Sequence, residues 1–399
     1  MKVLYIHQYF NLPEESGTTR SYWFAKKLVD NGVNVTMLTT GRTRQTETTE
    51  MDVNGIHVVY VKNEYSQYFS KLRKVYSFCK FVVQAILRGC KEKNVDLVYA
   101  TSTPLTVGFI ALMLHKLKGW RYIFEVRDLW PEFPIQVGAI RNKYAIKLLR
   151  KLEKSIYENA VHVVALSPGM RDGVLKCGTP EDKVTMIPNM SKGDLFYPRD
   201  KKDELYEKYG IDKTRFNVLH AGSMGVANGL DYIIHAANIL QNELHDDSVD
   251  FVFAGDGATK PKLEAMVEEY GLKNVRFLGR FNTEGISDVM NLCDMSIVSF
   301  KNLPILYTNS PNKMFDSLSA ALPVIVNSAG WTKGIVEDYK CGFYVDPEKP
   351  DELAKKLLEI KDKKELLSEM SKNARKVSLE VFDKSILTEK FLEVVKKYL

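Results

Sequence analysis

Cysteine is scarce and scattered: five residues in 399, at Cys79, Cys90, Cys177, Cys293 and Cys341, odd in number and without one CxxC pair. That excludes a disulfide framework and a cysteine zinc site, and a reducing, cytoplasmic setting is expected. Long apolar runs are missing too. The longest, VGFIALML at 107–114, falls far short of the ~18 residues a spanning helix needs. The opening MKVLYIHQYF is broken by His7 and Gln8 too early for a signal segment and reads as a first strand. The seven histidines form no HExxH or comparable pairing, and no DxD follows a strand-like run. A metal-independent site with no resident cofactor is therefore expected.

What is present is ordinary globular material, 45% hydrophobic and 27% charged, in a chain long enough for two cores. Its charge is unevenly shared. Residues 1–190 carry 27 basic and 17 acidic side chains, whereas the whole chain is only +6, so the remainder is net negative. An anionic partner belongs with the basic half.

Apolar strand-like runs alternate with amphipathic helical stretches throughout. KVLYIHQYF, VNVTMLTT, VDLVYAT, WRYIFEV, VHVVALS and VTMIPN fall in the first half, with a long helical stretch ending near Lys93 and another near 142–158. NVLHAG, VDFVFAG, NVRFLG, MSIVSF, PVIVNS and GFYVD follow in the second. The pattern predicts an α/β fold of two doubly wound, Rossmann-like domains with parallel sheets, at 1–195 and 215–380. The polar stretch 197–216 reads as the linker region, and a last helix, about 380–399, is placed to pack back onto the first domain.

Open parallel sheets bind ligands beyond the carboxyl ends of their strands, so the turns there are the candidates. Two are rich in glycine: HAGSMGVANG at 220–229, with Gly222, Ser223, Met224 and Asn228, and AGDGATK at 254–260, with Gly255 and Asp256. Neither is a GxGxxG or a P-loop, and alone each is a weak signal. A third candidate is the helix start SPNKMFDSLSAALP. Ser310 suits the cap, Pro311 the first helical position, and Asn312 and Lys313 the first turn. A lysine there opposes the helix dipole. Either Lys313 points into water, or an anion, phosphate above all, belongs beside it. Asp316 lies one turn on, placed either to pair with Lys313 or to accept the hydroxyls of a ribose. Arg280, with Phe281 beside it, could add charge. His220 reads as packing.

The stretch from Lys62 to Lys93 holds eight basic residues against two acidic ones, interleaved with aromatics. It reads either as an ordinary helix on the sheet or as an interfacial anchor on anionic lipid, with Lys71, Arg73, Lys74, Phe78 and Phe81 as membrane contacts. Nucleic acid is not expected, since no recognition fold or stacking motif accompanies the charge.

Four segments carry a family resemblance: LPEESGTTR at 12–20, EVRDLWPE at 125–132, AGSMGVANGLD at 221–231 and SPNKMFDSLSAALPVIV at 310–326. Through them the chain resembles, over its whole length, the retaining family 4 glycosyltransferases of the GT-B fold. It is most similar to the bacterial branch that builds O-antigen and capsule repeats with amino sugars. The resemblance implies a nucleotide-sugar donor, UDP-linked, carrying a hexose or N-acetylamino sugar, and a lipid-linked saccharide acceptor at the inner face of the membrane. It implies front-face transfer through an oxocarbenium-like transition state. Gly17 and Thr18 would then approach the donor diphosphate from the first domain.

Several positions depart from the family pattern. Its diphosphate-holding Arg and Lys are replaced by Ser223 and Asn228, and the first of its two acidic residues falls on Thr308, with Asp316 at the second. Lys313 is then the nearest cation to the diphosphate. The family's histidine after the strand YIFEV is Arg127, followed by Asp128. This pair either braces a loop by a charge-assisted bond or is catalytic, with Arg127 on the donor and Asp128 orienting or deprotonating the acceptor. A UDP-GlcNAc 2-epimerase-like enzyme and an inactive nucleotide- or lipid-binding subunit remain as alternatives.

Overall fold

The computed structural model describes all residues but 16, 18, 41–46 and 64–68, and the side chains of Lys71 and Lys74. The first lobe runs β1 (Lys2–Ile6), α1 (Arg20–Asp30), β2 (Asn34–Thr40), β3 (Thr49–Val53), β4 (Ile56–Val61), α2 (Lys71–Gly89), β5 (Leu97–Thr101), α3 (Thr106–Lys118), β6 (Tyr122–Val126), α4 (Glu132–Gln136), α5 (Lys143–Asn159), β7 (His162–Ala165), α6 (Pro168–Lys176) and β8 (Val184–Met186). Its sheet has the order β3-β4-β2-β1-β5-β6-β7-β8, parallel except for the β3–β4 hairpin. The central strands are buried on both faces, which is why they read as unbroken apolar runs.

Two features of this lobe differ from the sequence expectation. A hairpin stands where helix was expected directly after β2, turned at Asn54-Gly55 with φ of 54° and 85°. Asn-Gly is the pair that takes two successive left-handed residues most readily. The first strand also ends at Ile6 rather than running on through His7 and Gln8.

The second lobe runs α7 (Asp203–Tyr209), β9 (Phe216–Ala221), α8 (Asp231–Asn238), β10 (Val249–Ala254), α9 (Lys260–Glu269), β11 (Val275–Gly279), α10 (Thr283–Leu292), β12 (Met295–Val298), α11 (Asn312–Ser319), β13 (Val324–Val326), α12 (Trp331–Asp338), β14 (Gly342–Tyr344), α13 (Pro350–Ile360) and α14 (Lys364–Glu380). Its six parallel strands follow the order β11-β10-β9-β12-β13-β14. The last helix, α15 (Lys384–Lys396), returns to the first lobe, where Phe391 stacks on Phe24 at 4.0 Å between ring centroids. The polar stretch 197–216 is docked on the second lobe. Arg199 reaches Asp288 at 2.6 Å and Tyr206 donates to the Leu292 carbonyl at 3.0 Å.

The carboxyl edges of the two sheets face each other. Loops after first-lobe strands touch loops after second-lobe strands: Thr283 donates to the Pro13 carbonyl (2.9 Å), Gln136 accepts from the Ile305 amide (3.0 Å), and the Ser167 hydroxyl bonds the Thr308 carbonyl. Gly169 sits so close to Thr308 that a Cβ would come 2.7 Å from its Cγ2. The segment near 187–196 that crosses from the first lobe to the second is stapled as well, Asn189 bonding the hydroxyl and carbonyl of Ser310 at 3.1 and 2.5 Å. Below the first-lobe edge, buried Arg20 pairs with Glu125 at 2.9 Å and donates to the carbonyls of Ile187 and Pro188, so α1, β6 and the crossing segment are held together. Glu125 also accepts from Tyr99 and Thr101, and a buried ion pair saturated in this way is a rigid one. The architecture is GT-B: two parallel-sheet lobes with a cleft between their carboxyl edges.

Candidate active site

Each sheet reverses its winding once, between β1 and β5 in the first lobe and between β9 and β12 in the second. These are the points where an open sheet leaves a crevice. At the second, β9 ends in Ala221, just after His220, and runs into the glycine turn, while α11 starts across from it.

Lys313 is the second residue of α11, one place earlier than expected, because Pro311 takes the cap position. Ser310 does not cap; its hydroxyl accepts from Asn189 instead. The Lys313 side chain does not point into water. It lies over the glycine turn, with Cε 3.5 Å from where a Cβ on Gly222 would stand, and its Nζ is 3.4 Å from His220 Nε2. No carboxylate pairs with it among the described residues. Burial pulls its ammonium down to about 7. Burial and the neighbouring ammonium hold His220 well below the ordinary histidine range, so it stays neutral and accepts from Lys313.

The glycines of the two turns serve backbone packing. The Gly222 amide donates to the Ala254 carbonyl (2.8 Å) and the Met224 amide to that of Asp256 (2.9 Å). A Cβ on Gly255 would lie 1.8 Å from the Gly222 oxygen, and one on Gly257 would lie 2.5 Å from that of Met224. Two of the turn amides are thus already spent on the neighbouring turn. Asn228 is spent too, its amide donating to the Ser223 carbonyl at 2.9 Å. Arg280 pairs with Asp256 at 3.0 Å, and Phe281 packs edge-on against Tyr209. Asn312 stands beside Lys313 in the first turn of α11.

Asp316 is paired, but not with Lys313. Its Oδ1 lies 2.8 Å from Nζ of Lys192, a buried lysine of the crossing segment that spacing alone does not single out. Burial raises the Asp316 carboxyl and the Lys192 ammonium opposes that rise. Ser191, beside Lys192, donates to the Phe315 carbonyl at 3.1 Å.

On the first-lobe side, Arg127 and Asp128 follow β6. They do not bond each other. Asp128 accepts from the Thr103 hydroxyl at 3.1 Å, and Arg127 Nη1 lies 3.2 Å from His7 Nε2. Burial pushes the Asp128 carboxyl up to about 6 and lowers the Arg127 guanidinium. Gly17, at φ 124°, is exposed in the loop after β1; Thr18 lies outside the described residues.

The expected membrane contacts separate. Phe81 is fully buried in the first-lobe core and is no contact; it lies on the face of α2 that packs against α3. Phe78 is partly buried. Arg73 is exposed, with its guanidinium 4.0 Å over the Phe69 ring. The side chains of Lys71 and Lys74 lie outside the described set. The exposed stripe of α2 is instead Leu72, Val75, Tyr76, Cys79, Val83 and Leu87. α5, which sequence reasoning left out, exposes Tyr144 and Leu148 among Arg141, Lys143, Lys147 and Lys151.

Residues 17–190 match the glycosyl transferase 4-like domain and residues 201–377 the glycosyl transferases group 1 family. Among curated relatives, alpha-D-kanosaminyltransferase of Streptomyces kanamyceticus is 27% identical over 56% of this chain and 56% of its own length. Alpha-monoglucosyldiacylglycerol synthase of Acholeplasma laidlawii is 22% identical over 79% of both. The chain spans about half the length of the first relatives it matches. Among solved structures, sucrose-phosphate synthase of Thermosynechococcus elongatus superposes with a TM-score of 0.80 at 17% identity, covering 99% of this chain and 98% of its own. HepE of Anabaena, in complex with UDP and glucose, gives 0.74 at 16% over 99% of both chains.

Proposed function

We propose that the chain, whose residues 17–190 match a glycosyl transferase 4-like domain and 201–377 the glycosyl transferases group 1 family, is a glycosyltransferase that moves a hexose or N-acetylamino sugar from a UDP-linked donor to a lipid-linked saccharide. The transfer retains anomeric configuration, uses no metal, and serves a surface polysaccharide such as O-antigen or capsule at the inner membrane face. The observation that carries this reading is Lys313: an ammonium without a carboxylate partner, partly buried, laid over a glycine turn at a sheet switch point. Such a cation is poorly stabilised until an anion joins it. That a protein of the same fold is held with UDP and glucose supports a diphosphate there, and relatives that make glycolipids support a lipid acceptor.

The leaving group is UDP, so negative charge grows on its β-phosphate as the sugar departs. Lys313 and the start of α11 meet that charge. Because the glycine turn spends two of its amides on the neighbouring turn, the ammonium carries more of the task than two cations and free amides would require of it. Asp316, whose carboxylate oxygen lies 2.8 Å from the Lys192 ammonium, takes the ribose hydroxyls. Asp128, raised by burial to about 6, stands on the acceptor side, where a carboxylate of that basicity orients the incoming hydroxyl and receives its proton. Gly17 approaches the donor from the first lobe, and the exposed faces of α2 and α5 rest on anionic lipid.

The test is release of UDP from a panel of UDP-sugars, with and without lipid-linked acceptors. Acceptor-dependent release with at least one donor is expected. Tight UDP binding with no release from any donor contradicts the reading in favour of an inactive subunit, and epimerisation without acceptor contradicts it in favour of an epimerase.

A further inference from the structure

On the first-lobe side of the cleft the Arg127 guanidinium lies against neutral groups. Among the described residues no carboxylate comes within ion-pair distance of it. Glu125, two residues back, is taken by Arg20 at 2.9 Å, and Asp128, the next residue, is bonded to Thr103 at 3.1 Å. The contact it does make fixes a proton. Arg127 Nη1 lies 3.2 Å from His7 Nε2; a guanidinium only donates, so Nε2 is the bare acceptor and the ring proton sits on Nδ1. Among the described residues that Nδ1–H has no partner, although His7 is only 2% exposed. Gln8, the next residue, is wholly buried, and both its amide atoms lack partners among the described residues.

These residues follow β1 and β6 at the carboxyl edge of the sheet, beside Asp128. A guanidinium without counter-charge and a buried N–H without acceptor are donors awaiting oxygen, and leaving them bare in a water-poor site is unfavourable. Oxygen clusters with negative charge, phosphate or carboxylate, satisfy both at once.

We propose that Arg127 and His7 form a second anion subsite, across the cleft from Lys313, which takes a phosphate or carboxylate carried by the substrates at a point other than the donor diphosphate. The subsite rests on the glycosyltransferase reading above, and narrows it to substrates bearing an additional negative group. That group belongs either to the acceptor, as the phosphate linking saccharide to lipid, or to the transferred sugar, as a carboxylate.

Two titrations distinguish the sources and test the subsite. Protein saturated with UDP is titrated with octyl phosphate and with octyl glucoside as its neutral counterpart; protein without UDP is titrated with UDP-glucuronate and with UDP-glucose. In one of the two pairs the anionic probe should bind about tenfold more tightly or better. Arg127→Gln should abolish that preference, His7→Leu should reduce it, and Arg127→Lys should keep part of it. UDP affinity, staying within about threefold in every variant, reports an intact fold. Preference in the first pair assigns the anion to the acceptor, in the second to the sugar. The subsite is overturned by the absence of any anion preference in the unaltered protein, or by a preference that survives Arg127→Gln. It is equally overturned if Arg127→Gln weakens UDP itself as much, which would place the guanidinium on the diphosphate. Failure of the unaltered protein to bind UDP at all would remove the glycosyltransferase reading, and the subsite with it.

Discussion

Lys313 was legible as a residue out of place, a cation at the wrong end of a helix. What the sequence could not show is why it stays there. The answer is 93 positions away, where His220, near the end of β9, accepts from its ammonium. Nor could spacing reveal Lys192, which reaches Asp316 only because the crossing segment is stapled to α11; a lysine in a polar run looks solvated until the fold buries it. The chemistry of Lys313 gives a prediction with a sign. Its folded pKa is lowered to about 7 by burial, and a bound diphosphate restores the charged form. Above pH 7 UDP binding must therefore take up a proton, so affinity falls between about pH 7.5 and 8.5, a range above the second phosphate ionisation and below that of the uracil ring, where the nucleotide's own charge changes little. Calorimetry in buffers of different ionisation enthalpy reads the uptake directly. Lys313→Ala should remove it and weaken UDP by about 1.5–3 kcal/mol, roughly ten- to a hundredfold, the size of a hydrogen bond to a charged group. Uridine should change little; equal weakening of uridine and UDP would take Lys313 off the phosphate.

At the scale of elements, short unbroken apolar runs marked the strands of both sheets, since strands buried on two faces leave an unmistakable pattern. Exposed pieces were harder. The β3–β4 hairpin was missed because β3, TEMDV, is exposed along most of its length and carries no apolar signal, although Asn54-Gly55 marked the turn. The rotation of α2 was misjudged for a related reason: aromatic content was read as membrane-facing, and Phe81 in fact fills the core. The four most exposed large apolar side chains among the described residues are Leu72 (84%), Tyr144 (74%), Leu148 (68%) and Tyr76 (67%). All stand in the first two turns of α2 or α5. Crossover helices start at the carboxyl edge of a parallel sheet, so these residues ring the cleft side of the lobe. Arg141, Lys143, Lys147 and Lys151 are exposed around them. Vesicles containing anionic lipid should bind the protein and purely zwitterionic ones should not, and Leu72→Ser with Tyr144→Ser and Leu148→Ser should lower binding at least about tenfold. Binding that is indifferent to lipid charge, or unchanged in the triple variant, would contradict a membrane-facing role for these helices.

Across the whole molecule, two lobes of opposite charge balance meet through loops at the carboxyl edges of their sheets, and the chain crosses once near 187–196 and returns as α15. The alternation of strands and helices announced two such lobes. It could not announce their contacts, because Ser167 with Thr308, Gln136 with Ile305 and Pro13 with Thr283 are pairs that only the assembled fold brings together. Those contacts make the cleft, and the cleft sets Lys313 on one wall and Arg127 with Asp128 on the other. A crystal structure of the complex with UDP tests this arrangement most directly. The β-phosphate should lie within hydrogen-bond distance of Lys313 Nζ, over the Gly222 turn, with the ribose hydroxyls at Asp316. A pyrophosphate lodged elsewhere, with the Lys313 ammonium still resting only on His220, would contradict it.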